Sequence, residues 1–175
     1  MKRPKVVPTG VERFFSERDL IVSKTDTRGR ITYTNNVFRE IAGYDGRMLQ
    51  NAPHSIIRHP DMPRCVFKLL WDTIEAGGEI FAYVKNMSAN GDHYWVLAHV
   101  TPSYDEKKTI VGYHSNRRVP DRRIVDEIIS PLYRQLLETE VKAENRKAGM
   151  QAGHDQLVSI LQSKGVSYDE LIHTL

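Results

Sequence analysis

From His54 to Trp95 the chain carries HSIIRHPDMPR (54–64), LLWDTIEAG (69–77), VKN (84–86) and NGDHYW (90–95). A cationic, proline-broken loop, one amphipathic helix and a hairpin follow one another. That order describes a cofactor cradle on a small sheet rather than a catalytic cleft, and it makes a sensor the first expectation. Pro53, Pro60 and Pro63 force short turns until a helix can start after Pro63. In that helix Val66, Leu70 and Ile74 share one face, Phe67 and Trp71 stand beside it, and Gly77-Gly78 end it.

Working outward, Leu20-Ile21-Val22 and Arg30 to Tyr33 are β-rich segments joined by DTRG, where Asp26 and Gly29 supply turn chemistry. Asn35 or Asn36 can cap a helical segment carrying Val37, Phe38 and Ile41, which Gly43 stops, and another short helical turn is expected at Asp45 to Leu49. After the long helix come three strand-like runs, IFAYVKN, HYWVLAHVTPSY and TIVGYHSNRRV, joined by an Asn90-Gly91-Asp92 turn and a charged DEKK tip. The order predicts an α+β fold, a five-stranded antiparallel sheet with short helices on one face, followed by C-terminal helices.

Residues 1–18 read as an N-terminal tail ending in a short helical cap, 19–119 as the sensor domain, 120–149 as signalling or dimerisation helices and 150–175 as a terminal helical tail. Beyond Pro120 the apolar residues Val125, Ile128, Ile129, Leu132, Leu136 and Leu137 recur at helical steps and form a stripe for a dimer or partner. Ser130-Pro131 reads as a cap and first-turn proline restarting a second helix, and Gly149 as a stop. Ser167 to Glu170 has capping-box spacing, from which a terminal helical pair is expected.

Length fits one domain with appendages, too short for a sensor together with a catalytic output. Lys and Arg exceed Asp and Glu by 25 to 22, and the charges are interspersed, so nucleic-acid binding is not implied. The densest basic run, Arg117, Arg118, Arg122 and Arg123, reads as a solvated rim. One cysteine, Cys65, allows no internal disulfide and fits a reducing compartment. The start MKRPKVVPTG has no apolar region behind its charge, and no apolar run approaches the roughly 18–20 residues of a membrane span, so the cytoplasm is expected. No G-x-S-x-G, P-loop or H-E-x-x-H is present, and His59 with Asp61 has no nucleophile to activate, so the chain is not expected to be an enzyme.

The runs ITYTNNVF, IAGY, HSIIRHPDMPR, LWDTI, VKN, NGDHYWV, VTP and VGY, across roughly residues 18–137, resemble a PAS domain of the aerotaxis-receptor type. RHPDMP with VKN and GDHYW is far more specific than the generic PAS pattern. The resemblance implies FAD in the PAS cavity, its redox state reporting oxygen or electron-transport status to a motility output. Position by position, it implies flavin contacts at Asn35, Arg58, His59, Asp61, Asn86 and Tyr94. Ile80, followed by Phe81, stands where those receptors have a tryptophan. The chain looks like the stand-alone PAS proteins of energy taxis, which need a partner such as a chemoreceptor-type transducer, and a homodimer is expected.

The residues support chemistry of this kind on their own terms. Arg58 can pair with a pyrophosphate or with charge on a reduced ring through its fixed multiple donors, against the plainer reading of an Arg58–Asp61 ion pair holding the loop. His59 titrates near neutrality, and can donate to a cofactor or simply cap its loop. Asn86 sits mid-strand, where a buried amide must find partners, either a ring edge or a neighbouring backbone group. Trp71 and Trp95 read as core aromatics, with Trp71 kept as a ring contact. Cys65 lacks the context of thiol-using light sensors and reads as a small buried residue. FMN and haem are alternative cofactors, with His59, His93 and His99 as possible imidazole ligands, and no paired spacing supports a metal site. A ligand-free PAS interaction module is the remaining alternative.

Overall fold

The computed structural model describes residues 6–175. Five strands, β1 (Ile21–Thr25), β2 (Ile31–Thr34), β3 (Ile80–Met87), β4 (His93–Tyr104) and β5 (Ile110–Arg118), form one antiparallel sheet in the order β2-β1-β5-β4-β3. Each hairpin has a local cause. In the first, Asp26 Oδ1 accepts from Arg28 N and Arg30 N at 2.9 and 2.8 Å, and Gly29 adopts φ +72°, which an L side chain resists.

Short helices α1 (Asn36–Ala42) and α2 (Gly46–Leu49), a 3-10 turn His54–Ile57 and the longer α3 (Arg64–Glu75) fill the connection from β2 to β3. Asn35 is the cap of α1 and Asp45 that of α2, through side-chain oxygens accepting from Phe38 N and Arg47 N. Period-two alternation sends Ala82, Val84 and Asn86 of β3, Val96, Ala98 and Val100 of β4, and Tyr113, Ser115 and Arg117 of β5 toward these helices.

The opposite face of the sheet is also covered. After β5 come α4 (Arg122–Ile124), a π-helical turn Val125–Ile129, α5 (Ser130–Lys142), α6 (Arg146–Lys164) and α7 (Tyr168–Thr174). Half of the stripe expected to serve a dimer is used within the chain: Val125, Ile129 and Leu136 are buried together with Tyr133, whereas Ile128 stays 39% exposed; Trp95 packs against Tyr133, and Tyr133 Oη donates to Tyr83 O at 2.6 Å. Tyr83 and Trp95, on the face that alternation would leave wet, are thereby buried. On the other side of the β3 edge, α6 packs on α3, while α7 packs on β3. No helix among the described residues is long and apolar enough to cross a membrane.

Three local expectations are corrected. Residues 6–18 form no helical cap but run extended beside the start of β4, with Arg13 N donating to His93 O at 2.7 Å and His93 N to Val11 O at 2.9 Å. The unpaired end of the β3–β4 hairpin offers these backbone groups, and hydrogen bonding there outweighs an isolated helical turn. Ser130 is helical and caps nothing: the Ser130 N–H reaches Val125 O, and this wider π turn absorbs the missing N–H and the ring of Pro131 without breaking the helix. Gly149 does not stop a helix but lies in α6, at its crossing with α5.

Because the C-terminal helices share the core, Leu136→Ala should cost about 2–5 kcal/mol of stability, read from urea unfolding followed by far-UV circular dichroism. A freely swinging tail would show almost no change.

Candidate cofactor site

Between the inner face of the sheet and α3 lies a cavity of about 270 Å³. Its floor is made of Ser23, Thr25, Val84, Asn86, Ala98, Val100, Tyr113, Ser115 and Arg117, one wall of Phe67, Leu70, Trp71 and Ile74 from α3, and the other of Pro53 to Ser55, Ile57 and Arg58. Small residues at Ser23, Ala98 and Ser115 leave this space unfilled beneath the larger side chains of α3. Trp71 is fixed edge-on to Tyr113 at 5.4 Å, and a Cβ at position 29 would lie 3.0 Å from its ring.

Arg117 dominates the electrostatics. It is 3% exposed, and its Nη2 donates to Ser23 Oγ at 2.8 Å and to His54 Nε2 at 2.7 Å. Its guanidinium also lies 5.5 Å from the Phe38 ring centroid. Among the described residues no carboxylate forms an ion pair with it. Burial brings its pKa down to about 10, partly opposed by Tyr94. An arginine is always a donor, so His54 Nε2 must accept, and the imidazole is neutral with its proton on Nδ1. Burial first, and the Arg117 charge second, lower the His54 pKa from 6.5 to about 3.

Three polar atoms on residues that line the cavity make no hydrogen bond of ordinary geometry to protein: Arg117 Nη1, Ser115 Oγ and Asn86 Nδ2, the last lying beside the Tyr94 hydroxyl across the ladder. Other buried polar atoms without such a bond, His93 Nδ1, Tyr94 Oη, His154 Nδ1, Gln156 Oε1 and Tyr168 Oη, lie on residues that do not line the cavity, so the three at its wall make it a candidate site for a polar ligand and no more.

The expected contacts divide. Arg58, Trp71 and Asn86 line the cavity. Arg58 lies with its guanidinium 3.7 Å from the Phe67 ring centroid, and burial first, then Arg64 and Arg146, hold its pKa below the ordinary value while Glu140 opposes them. The other four do not line it. Asn35 spends its amide on Phe38 N, Val22 N and Leu20 O at 3.1, 3.0 and 2.7 Å. His59 turns away toward His93, ring centroids 5.7 Å apart, and its Nδ1 accepts from Asp61 N. Burial lowers the His59 pKa to about 4, helped by Lys85.

Asp61 is bound by Lys85 Nζ at 2.8 Å, so the expected Arg58–Asp61 pair is replaced by a tie from the loop to β3. Tyr94, opposite Asn86 in the ladder, is fully buried in the core, and burial raises its phenol pKa. Cys65 faces Glu140 and Gly153 rather than the cavity, and burial pushes its thiol up. Among the described residues no cluster of His, Cys, Asp and Glu could hold a metal ion.

Comparison with known proteins agrees with this architecture. A family model described as PAS fold matches residues 31–117. These residues form a PAS domain. The aerotaxis receptor of Escherichia coli is 42% identical over 117 residues, 66% of this chain and 22% of the receptor. The bacterioopsin transcriptional activator of Halobacterium salinarum is 26% identical over 93 residues, 53% of this chain and 14% of that protein. The chain thus spans under a quarter of the length of either relative.

Among solved structures, the dark state of the blue-light photoreceptor Aureochrome1 LOV superposes with a TM-score of 0.56 at 21% identity, over 67% of this chain and 86% of that one. The PAS domain of a Colwellia psychrerythraea protein gives 0.54 at 19% identity, over 59% and 88%. Both show the fold.

Sequence reasoning missed three cavity residues, Arg117, His54 and Ser115. Arg117 is no solvated rim: alternation along β5 points it inward with Ser115 and Tyr113, and turns Arg118 outward. That period was legible in YHSNRR once the strand had been recognised.

The half-buried His54, held by Arg117 and Ser23, gives this PAS domain a pH signature. Because its pKa in the folded chain lies below the unfolded value, the unfolded chain binds the extra proton, and stability falls as pH drops from 6.5 toward 3. Urea unfolding between pH 6 and 4.5 should show a slope of about 1.4 kcal/mol per pH unit from this group. His54→Asn should flatten that component.

Proposed function

We propose that this PAS domain binds a flavin, as FAD, and acts as a cytoplasmic redox or oxygen sensor that passes its signal to a partner in aerotaxis or energy taxis, performing no chemistry on a substrate. The observation that carries this reading is Arg117, a buried guanidinium without an acidic partner, directed with Asn86 and Ser115 at a ring-sized space. A flat heterocycle with apolar faces and polar edges fits between Trp71, Leu70, Val100 and these donors. When bound, a flavin supplies reversible acceptance of electrons, and negative charge gathers on its ring as it is reduced. Arg117 stands ready as the cation for that charge, and Asn86 can present either its donor or its acceptor to a ring edge whose protonation changes.

The volume near 270 Å³ suits a ring system but not a whole dinucleotide. A second, more open groove shares Pro53, Ser55 and Arg58 with the cavity and is lined beyond them by Tyr44, Ile56, Pro60 and Met87. This shared wall supports FAD over FMN, with Arg58 facing both spaces as a donor for a diphosphate. Haem is less well supported, since His54, the histidine lining the cavity, already gives Nε2 to Arg117 and Ser23. The interaction-module reading leaves the unpartnered polar atoms unexplained.

The route of the signal in this reading starts at Arg117, near the end of β5 and shortly before the Asp121 cap of α4. A change in what Arg117 binds shifts the strand end that launches the C-terminal helices, a two-state element of the kind a signal requires. With half of the C-terminal apolar stripe buried against the sheet, a transducer or second copy is left Ile128 and other surfaces, among them Val11 and Phe14 on the N-terminal segment, Phe14 being 76% exposed.

The absorption spectrum of purified protein, before and after anaerobic dithionite, tests this directly. Flavin bands that bleach are expected; a Soret band would move haem to first place, and a colourless chain that takes up neither would favour the interaction module. Arg117→Gln should weaken flavin binding at least tenfold, about 1.4 kcal/mol, and make the bound flavin harder to reduce. Arg118→Gln, on the outer face, should do neither.

A further inference from the structure

Helix α3 begins without a cap of its own. Pro63 occupies the cap position and offers no side-chain acceptor, although the first turn of any helix presents N–H groups without intrahelical partners. The missing acceptor arrives from α5: Glu140 Oε2 accepts from Arg64 N at 3.0 Å and Oε1 from Cys65 N at 2.8 Å. Glu140 is 6% exposed, so its charge is held by these two donors and the positive end of the α3 dipole.

The approach of α6 to this contact is equally specific. A Cβ at position 149 would fall 2.2 Å from Glu140 O, and one at position 153 would fall 2.9 Å from Glu140 Cγ and 3.2 Å from Cys65 Sγ. Only glycines let α6 close over the carboxylate. Both Glu140 and its glycine cover lie beyond residues 31–117, which the family model matches, whereas the helix they hold supplies Phe67, Leu70, Trp71 and Ile74 to the cavity.

We infer that the α5–α6 hairpin is part of the sensing apparatus, with Glu140 as a positioning residue that holds the cavity-lining helix α3 in its ligand-binding place and so couples the hairpin to the cofactor. The inference rests on the flavin reading for its ligand, and its sign follows from the geometry. A seated α3 forms the cavity wall, with Phe67 carrying Arg58 at the mouth. Ligand therefore favours the docked hairpin, and the docked hairpin favours ligand by the same factor, because binding linkage is reciprocal. Events that pull α5–α6 away toward another protein loosen the cofactor, and loss or change of the cofactor frees the hairpin.

The test uses the full chain with Glu140→Gln and Glu140→Ala, and with Gly153→Ala, which presses on the same carboxylate without removing it. Ile172→Ala in α7, which packs on β3 and does not touch the carboxylate's hydrogen bonds, serves as the control for general destabilisation. Dissociation constants for FAD are measured at a temperature where circular dichroism shows every variant folded.

Expected are a 5- to 150-fold weaker affinity in the two Glu140 variants, the range typical of coupled sites, a smaller loss in Gly153→Ala, and none in Ile172→Ala. Hydrogen exchange should show added protection of residues 140–153 when FAD binds the wild-type chain. Glu140 variants that bind FAD like wild type, or no better and no worse than Ile172→Ala, would overturn the inference, as would protection unchanged by FAD. A wild-type chain that takes up no flavin would instead overturn the functional reading. Exchange in the ligand-free protein then decides the positioning role by itself: faster exchange of residues 64–74 in Glu140→Gln supports it, and unchanged exchange removes it.

Discussion

A guanidinium taken out of water without a carboxylate beside it costs several kcal/mol unless dipoles and rings replace its hydration. Arg117 meets that cost in part through Ser23, His54 and the Phe38 ring, and the arrangement of the cavity follows from this need. His54 must stay neutral to accept from it, which places the 3-10 turn over the sheet. Ser23 must face inward on β1 opposite Ser115 of β5, which sets the register of the sheet beneath it. Nη1 is left without a protein partner at the cavity wall.

A second dependence ties the C-terminal helices to this chamber. The sheet is covered on both faces, so the alternation of Tyr83 and Trp95 with Val84 and Val96 separates two buried layers rather than core from solvent. The C-terminal helices supply the second layer and then pass round the β3 edge to cap α3. Cavity, sheet edge and appendage are consequently parts of one packed body, and a change at the floor of the cavity has solid matter on every side through which to act.

The RHPDMP loop divides its polar groups between the cavity and its own fastening. Arg58 reaches the cavity, but His59, Asp61 and Met62 fasten the loop: Asp61 N donates to His59 Nδ1, Lys85 Nζ to Asp61, and Lys85 N approaches Met62 Sδ at 3.2 Å. A motif rich in polar groups has two ways to use them, on a ligand or on its own backbone, and the sequence does not distinguish these. Asn35 shows the same ambiguity, because an asparagine that can cap a helix is indistinguishable by type from one that can meet a ring.

Local chemistry alone determined the strands, the turns at Asp26 and Asn90, the caps at Asn35 and Asp45 and the span of α3, since each depends on neighbours within a few residues. Period-two alternation also contained the inward direction of Arg117, though charge density along Arg117 to Arg123 concealed it. What only the tertiary structure decided is which face each appended helix would use and which polar groups would be left unpaired. The stripe of α5 is apolar whether it meets a second chain or its own sheet, and Glu140 is one acidic residue among many until folding brings it across 75 positions to Cys65 N. Such choices rest on long-range packing and on the burial of charge, quantities that no window of sequence contains.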